Sequence, residues 1–232
     1  MFPIRDTIPS SRFPLVTTVL IVINSLIFLY EVSLGEQLNR LINALGIIPA
    51  KYFWQGEFGR ANFIERFFPF FTSMFLHGGW MHAIGNMWYL WIFGDNVEDR
   101  MGRGRFLLFY LLCGLGAGLS HAYLNADSRI PTIGASGAIA GVMGAYIVLF
   151  PNSRVLTLVP IFIFIQFFEI PAIFFLGFWV ILQFLQGTAS LMSDASGGVA
   201  WWAHLGGFVF GAILVFVFRQ SERGRRYTEE YE

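Results

Sequence analysis

Four polar side chains lie inside stretches otherwise apolar enough to sit in a bilayer: His82 and Asn86 in one, Ser136 at the start of a second, and His204 in a third. A polar group in hydrocarbon is costly and faces a bundle interior or a water-filled cavity, so each is a candidate for function. A hydroxyl brought to an imidazole is the pair from which nucleophilic chemistry starts. A serine among small residues also serves as a helix-packing hydroxyl, and an intramembrane His or Asn bonds across helices. Taken singly, these residues leave both readings open.

The elements that must position them follow from composition. The 232-residue chain is 56% hydrophobic and 13% charged, with 27 Phe, 7 Trp and 8 Tyr against 15 basic and 15 acidic side chains. Soluble domains carry roughly 25% charged residues, so the charge here is too sparse to coat a water-facing surface. A multi-span membrane protein, with the lipid bilayer as its first partner, is the consequence. A net charge near zero and the lack of a basic stripe argue against nucleic acid as a partner. The single cysteine, Cys113, excludes an internal disulfide and a Cys-based zinc site, and its apolar neighbours point to a buried, inert thiol. No cofactor is implied.

A hydrocarbon core of ~30 Å needs about 20 apolar residues in a helix. Such runs fall at 14–30, 77–94, 105–124, 134–150 and 199–218. The first resembles a signal peptide but runs long and has no small-x-small cleavage site. Residues 155–187 are apolar but too long for one straight span, and Pro160 and Pro171 interrupt them. The expectation is a helix over 171–187 after a membrane-level connecting segment. The fold class is therefore an all-α polytopic bundle of six helices in one domain, 14–219, between an N-terminal segment 1–13 and a charged tail 220–232. The stretch of about 45 residues after the first span, which includes Trp54, is too short for a stable separate domain. It is expected as an elaborated interfacial loop.

With six spans both termini share a side, and that side collects ten of the 15 basic residues, Arg5, Arg103 and Arg154 among them. The other side has Arg40, Lys51, Arg60, Arg66 and Arg129, four of them in the long loop, where charge weighs less. Both termini are thus expected in the cytoplasm of a cell whose plasma membrane the protein spans, with a bacterial inner membrane as the setting. The second, fourth and sixth helices then all start at the outer face. Ser136, His82 and His204 lie within roughly 10 Å of that face at 1.5 Å per residue, and Asn86 is one turn beyond His82. Ser136, Ala140 and Gly144 form one line of small residues; His204, Gly207 and Gly211 form another. Such lines let helix backbones approach closely in lipid and would bring the imidazole to the hydroxyl.

Three motifs occur in order on these spans: His77-Gly78-Gly79-Trp80-Met81-His82 with Asn86, Gly134-Ala135-Ser136-Gly137, and Ala203-His204-Leu205-Gly206-Gly207 with Gly211. Together they make the chain resemble the rhomboid intramembrane serine proteases over about residues 72–218. The resemblance implies a catalytic dyad without a carboxylate, Ser136 as nucleophile and His204 as general base. It also implies an oxyanion hole of the Ser136 N–H with His82 and Asn86 as side-chain donors. The second, fourth and sixth spans contain no Asp or Glu, so orientation of the imidazole falls to packing. The implied substrates are single-span membrane proteins cut at small residues where their helix is unstable near the outer surface, admitted past the helix that starts at Pro171.

Two positions depart from patterns common in that family. The first loop has Phe67-Phe68-Pro69-Phe70 where many members carry a Trp-Arg pair, and Ala140 stands four residues after the serine, where many have an aromatic ring supporting the imidazole. A catalytically silent rhomboid-like protein that binds transmembrane clients is the alternative reading, although such proteins typically lose the serine or the histidine. A proton path through His82 and His204 would lack acidic partners apart from Glu169. A metal site is weaker again, because His77 and His82, five residues apart, are expected to point to different faces.

Overall fold

The computed structural model describes residues 1–53, 63–162, 164–191 and 200–220. Trp54, Arg60, Val199 and the tail beyond Gln220 lie outside the described residues. Six helices build the bundle: α1 Leu15–Ser33, α2 Trp80–Met101, α3 Arg103–Leu124, α4 Ser136–Leu149, α5 Ala172–Leu191 and α6 Trp201–Phe218. They are the six expected from the apolar runs, with shifted ends. By length and composition α1, α3, α5 and α6 each suffice to cross a membrane.

Helix α2 continues past Gly94 to Met101, so Asp95, Glu98 and Asp99 belong to a helix that also carries His82. They sit at its far end and serve the fold. Glu98 is 3% exposed, and its carboxylate accepts the backbone N–H of Val16 at 3.0 Å and both the N–H and hydroxyl of Thr17 at 2.8 Å. The first N–H groups of a helix have no acceptor within the helix and carry the positive end of its dipole. Helix α1 has no side-chain cap of its own; the carboxylate of α2 supplies one and locks the two helices together.

Helix α4 is the shortest of the six, with 14 residues. That is about 21 Å against a core of ~30 Å, so a helix reaching one face stops roughly 9 Å short of the other. Its start is set by Gly134, which adopts φ +129°, where a side chain is strained. The Gly134 N–H donates to the Ser73 carbonyl at 2.8 Å. Ser136 therefore opens the helix from a turn held by the first loop.

That loop contains short helices at Leu38–Leu45, Ala50–Phe53, Phe63–Phe67 and Pro69–Thr72. Ile47 and Thr132 exchange backbone hydrogen bonds of 3.0 and 2.7 Å, and the Ala50 N–H reaches the Ser128 carbonyl at 2.9 Å. In the stretch that departs from the family pattern, Pro69 and Phe70 are buried, and Phe70 packs with Ile47 and Ala122. The loop is thus stitched to the segment that leads into α4.

The connecting segment between α4 and α5 differs from the expectation. It folds as an antiparallel hairpin, β2 Arg154–Ile161 and β3 Phe164–Pro171, and β1 Phe2–Asp6, from the N-terminal segment, adds to it in the order β1-β2-β3. The run is rich in β-branched and aromatic residues, but it is apolar on both faces, so the alternation that marks a strand is missing from its sequence. Pro160 is tolerated because β1 ends opposite Leu158, leaving β2 one neighbour at that point. Asp6 Oδ2 accepts the Tyr146 hydroxyl at 2.6 Å and the Asn96 amide at 2.7 Å, which pins β1 to α4 and α2. Burial raises the Asp6 carboxyl above its ordinary range, against the lowering effect of the Tyr146 bond.

Helices α4 and α6 pack backbone to backbone. A Cβ on Gly207 would run into the Gly137 carbonyl, one on Gly211 into the Gly141 carbonyl, and one on Gly144 into the Phe208 carbonyl. The contact line on α4 is thus Gly137, Gly141 and Gly144, rotated from the expected Ser136, Ala140 and Gly144. Ala140 instead fills the hydrophobic core, because only glycine lets the backbones meet. Cys113 is fully buried against Gly141, as its apolar neighbours suggested.

Candidate active site

The glycine contacts set the height and separation of the two helices that carry Ser136 and His204. Ser136, half-buried, is the first residue of α4, and His204 lies in the first turn of α6. Their side chains meet, with His204 Nε2 2.7 Å from Ser136 Oγ. On its other side His204 Nδ1 is 2.7 Å from Oε1 of Gln183, on α5. An amide oxygen only accepts, so Nδ1 carries the proton and Nε2 presents a lone pair to the serine O–H. The hydroxyl is the donor and the ring is set to receive its proton.

His204 is 9% exposed. The Trp179 ring of α5 lies 5.8 Å away at 34°, and the Trp201 ring of α6 lies 6.3 Å away, edge-on at 89°. These two rings flank the imidazole, to which Ala140 offers no aromatic face. Orientation of the imidazole thus does not fall to packing alone: a hydrogen bond from a third helix contributes. The residues singled out from the sequence lie on the second, fourth and sixth spans, and Gln183 is on the fifth. Its signal is an amide on the buried stripe Ala172, Phe175, Leu176, Gln183 and Gly187, whereas the helix's other amide, Gln186, is exposed.

His82 flanks the same turn. A Cβ on Gly134 would lie 2.6 Å from His82 Nε2 and 3.5 Å from Ser136 Oγ, so the two side chains border one glycine that has no room for anything larger. The Gly78 N–H approaches His82 Nδ1 at 3.4 Å. A nitrogen that accepts is unprotonated, which puts the proton on Nε2, the atom beside Gly134. Asn86, one turn on, is 8% exposed, and its buried Nδ2 has no hydrogen-bond partner among the described residues. The Ser136 N–H, at a helix start, has no acceptor within the helix. Three donors thus lie in the first two turns of two neighbouring helices.

The other two histidines, His77 and His121, are buried as well. His121 binds the Thr132 hydroxyl at 2.8 Å and holds the loop before α4. His77 is 1% exposed, its backbone N–H donates to the Glu31 carboxylate at 3.0 Å, and its ring lies 5.2 Å from that of His82. The two rings do not point apart as expected, because α2 begins at Trp80 and His77 precedes it, off the helical register.

Residues 65–221 match the family model of the rhomboid domain. The chain is 32% identical to rhomboid-like protein 11, chloroplastic, of Arabidopsis thaliana over 189 residues, which is 76% of this chain and 62% of that protein. Rhomboid protein 1, mitochondrial, of Saccharomyces cerevisiae is 31% identical over 66% of this chain, and the match spans 42% of its own length. The putative rhomboid protease YdcA of Bacillus subtilis is 30% identical over 158 residues, covering 67% of this chain and 69% of YdcA.

Proposed function

Because the chain belongs to the rhomboid family of integral membrane proteins, we propose that it is an intramembrane serine endopeptidase acting through a Ser136–His204 dyad. The observation that carries this reading is the 2.7 Å contact between Ser136 Oγ and an imidazole nitrogen whose lone pair faces it. In the proposed cycle His204 takes the hydroxyl proton as Oγ bonds to a substrate carbonyl carbon, giving a tetrahedral oxyanion. The oxyanion collapses, the C–N bond breaks, and His204 gives the proton to the departing amine. Water, deprotonated by the same ring, then adds to the acyl carbon, the C–Oγ bond breaks, and the ring returns the proton to Ser136 Oγ.

The proposed substrates are single-span membrane proteins. A peptide bond inside a helix is shielded and hydrogen-bonded, so a segment that unwinds readily near the outer face is the one that reaches Ser136. Entrance past α5 fits its buried stripe, which is narrow and, between Ala172 and Gly187, contains no small residue that meets another backbone.

A fluorophosphonate probe tests the chemistry without a known substrate: the wild-type protein should be labelled and Ser136→Ala should not. A folded wild-type protein that takes no label and cuts no transmembrane reporter would be a silent, client-binding member of the family. The proposed topology, termini on the cytoplasmic side and Ser136 near the opposite face, rests on the ten-to-five basic split. Reporter fusions after Arg105 and Glu232 should report the cytoplasm, and one within 125–130 the opposite side. A C-terminus on that opposite side would overturn it.

A further inference from the structure

We infer that Gln183 is a positioning residue for His204, and that its place on α5 makes alignment of the imidazole depend on α5 lying against α6. Its effect on turnover rests on the protease reading; its effect on the ring does not.

Gln183 is 7% exposed and its Oε1 is 2.7 Å from Nδ1 of His204. A neutral imidazole has two tautomers, and only the one with the proton on Nδ1 offers Nε2 as a base to Ser136. Without an acceptor at Nδ1 that proton would be buried and unpaired, a costly state. The ring would escape by moving the proton to Nε2, where it would donate to Ser136 Oγ and lose the capacity to take the hydroxyl proton. A glutamine does this work without placing a charge in an apolar helix.

The hydrogen bond also joins two helices. The outer face of α5 is exposed at Phe174, Phe178, Ile181 and Leu185, so the stripe that carries Gln183 is its attachment to the bundle. One turn on, Gly187 lies where a Cβ would be 3.3 Å from Trp201 Cβ and from Trp202 Cε2. The approach of α5 to α6 at this level is close enough that a side chain much larger than glycine's would have to push Trp201 and Trp202 aside. Withdrawing α5 carries Oε1 away from Nδ1, and the dyad loses its alignment.

The test reads the ring directly. ¹⁵N shifts of the four histidines in detergent, with His204→Ala for assignment, should show His204 protonated on Nδ1 in the wild type. Gln183→Leu should move the proton toward Nε2 and lower kcat by about 10²-fold, as a misplaced catalytic group does, with KM little changed. Gln183→Glu keeps an acceptor oxygen at the same reach and should retain the Nδ1 proton and most of the turnover. Gly187→Leu, which leaves the amide intact but wedges α5 from α6, should shift the ring and kcat in the same direction as Gln183→Leu. Should Gln183→Leu fail to fold, Gln183→Met reads the same change. An unchanged His204 shift in the folded variant that lacks the acceptor overturns the inference, and an unchanged shift in Gly187→Leu overturns its α5 part. If the wild-type protein is unreactive toward fluorophosphonate, the protease reading fails separately and the ring shifts alone decide.

Discussion

Ser136→Ala and His204→Ala are each expected to lower cleavage of a model transmembrane substrate by about 10⁶-fold, to the detection floor, and the double variant should be no worse, because residues that act as one unit are strongly non-additive. The two side chains share one proton across 2.7 Å: without the base the hydroxyl stays a poor nucleophile, and without the hydroxyl the base has nothing to activate. Their structural costs differ. The serine is half-buried and its main contact is the ring, so alanine there should cost stability of only about 1 kcal/mol, the net worth of one hydrogen bond. His204→Ala leaves a gap beside Trp179 and Trp201 and strips Gln183 Oε1 of its donor, so a lower Tm is expected with it. Ser136→Ala is therefore the cleaner variant. Gel-resolved cleavage together with size-exclusion profiles and melting curves separates chemistry from folding. Measurable turnover by pure, folded Ser136→Ala would sink the dyad.

How far the sequence reached depended on whether a feature is local. The six helices were legible because each needs only a long apolar run, and Ser136, His82 and His204 were legible as a layer because helix rise converts position into depth. Pairing across helices was less so. Small-residue spacing identified α4 and α6 as close neighbours with Gly144 in the seam, yet the other two contact positions on α4 came out one residue away, since Ser136 and Gly137 both start plausible lines and only backbone contact selects between them. The hairpin at 154–171 was hidden because a strand apolar on both faces has no alternation to detect. Gln183 was hidden for another reason. Its partner is 21 residues away on a different helix, and a carboxylate is the usual orienting group for a catalytic imidazole, whereas a neutral amide performs that task at lower cost in an apolar setting. Glu98, beyond the assumed end of its span, proved to be a helix cap reaching across to α1.

The arrangement around Gly134 leads to the second large effect. His82→Ala and Asn86→Ala are each expected to lower kcat by up to ~10²–10³, with KM little changed, because a preorganised donor acts on charge that exists only in the transition state. The tautomer required of His82 is the one its surroundings select: the Gly78 N–H faces Nδ1, leaving Nε2–H beside the glycine next to the nucleophile. That contact is long, 3.4 Å, so it holds the tautomer loosely, and the smaller of the two losses is expected at His82. The Asn86 Nδ2 is buried without an acceptor among the described residues. With no Nδ2 hydrogen bond among the described residues to lose, Asn86→Ala should leave Tm little changed while kcat falls. A residue that merely joined helices would show the reverse, a lower Tm at constant kcat. Kinetics and melting on both single variants and the double variant distinguish the two. Because three donors share one charge, the double loss should be less than the product of the single losses, with the Ser136 N–H carrying the remainder; a fully multiplicative loss would mean that His82 and Asn86 contribute independently.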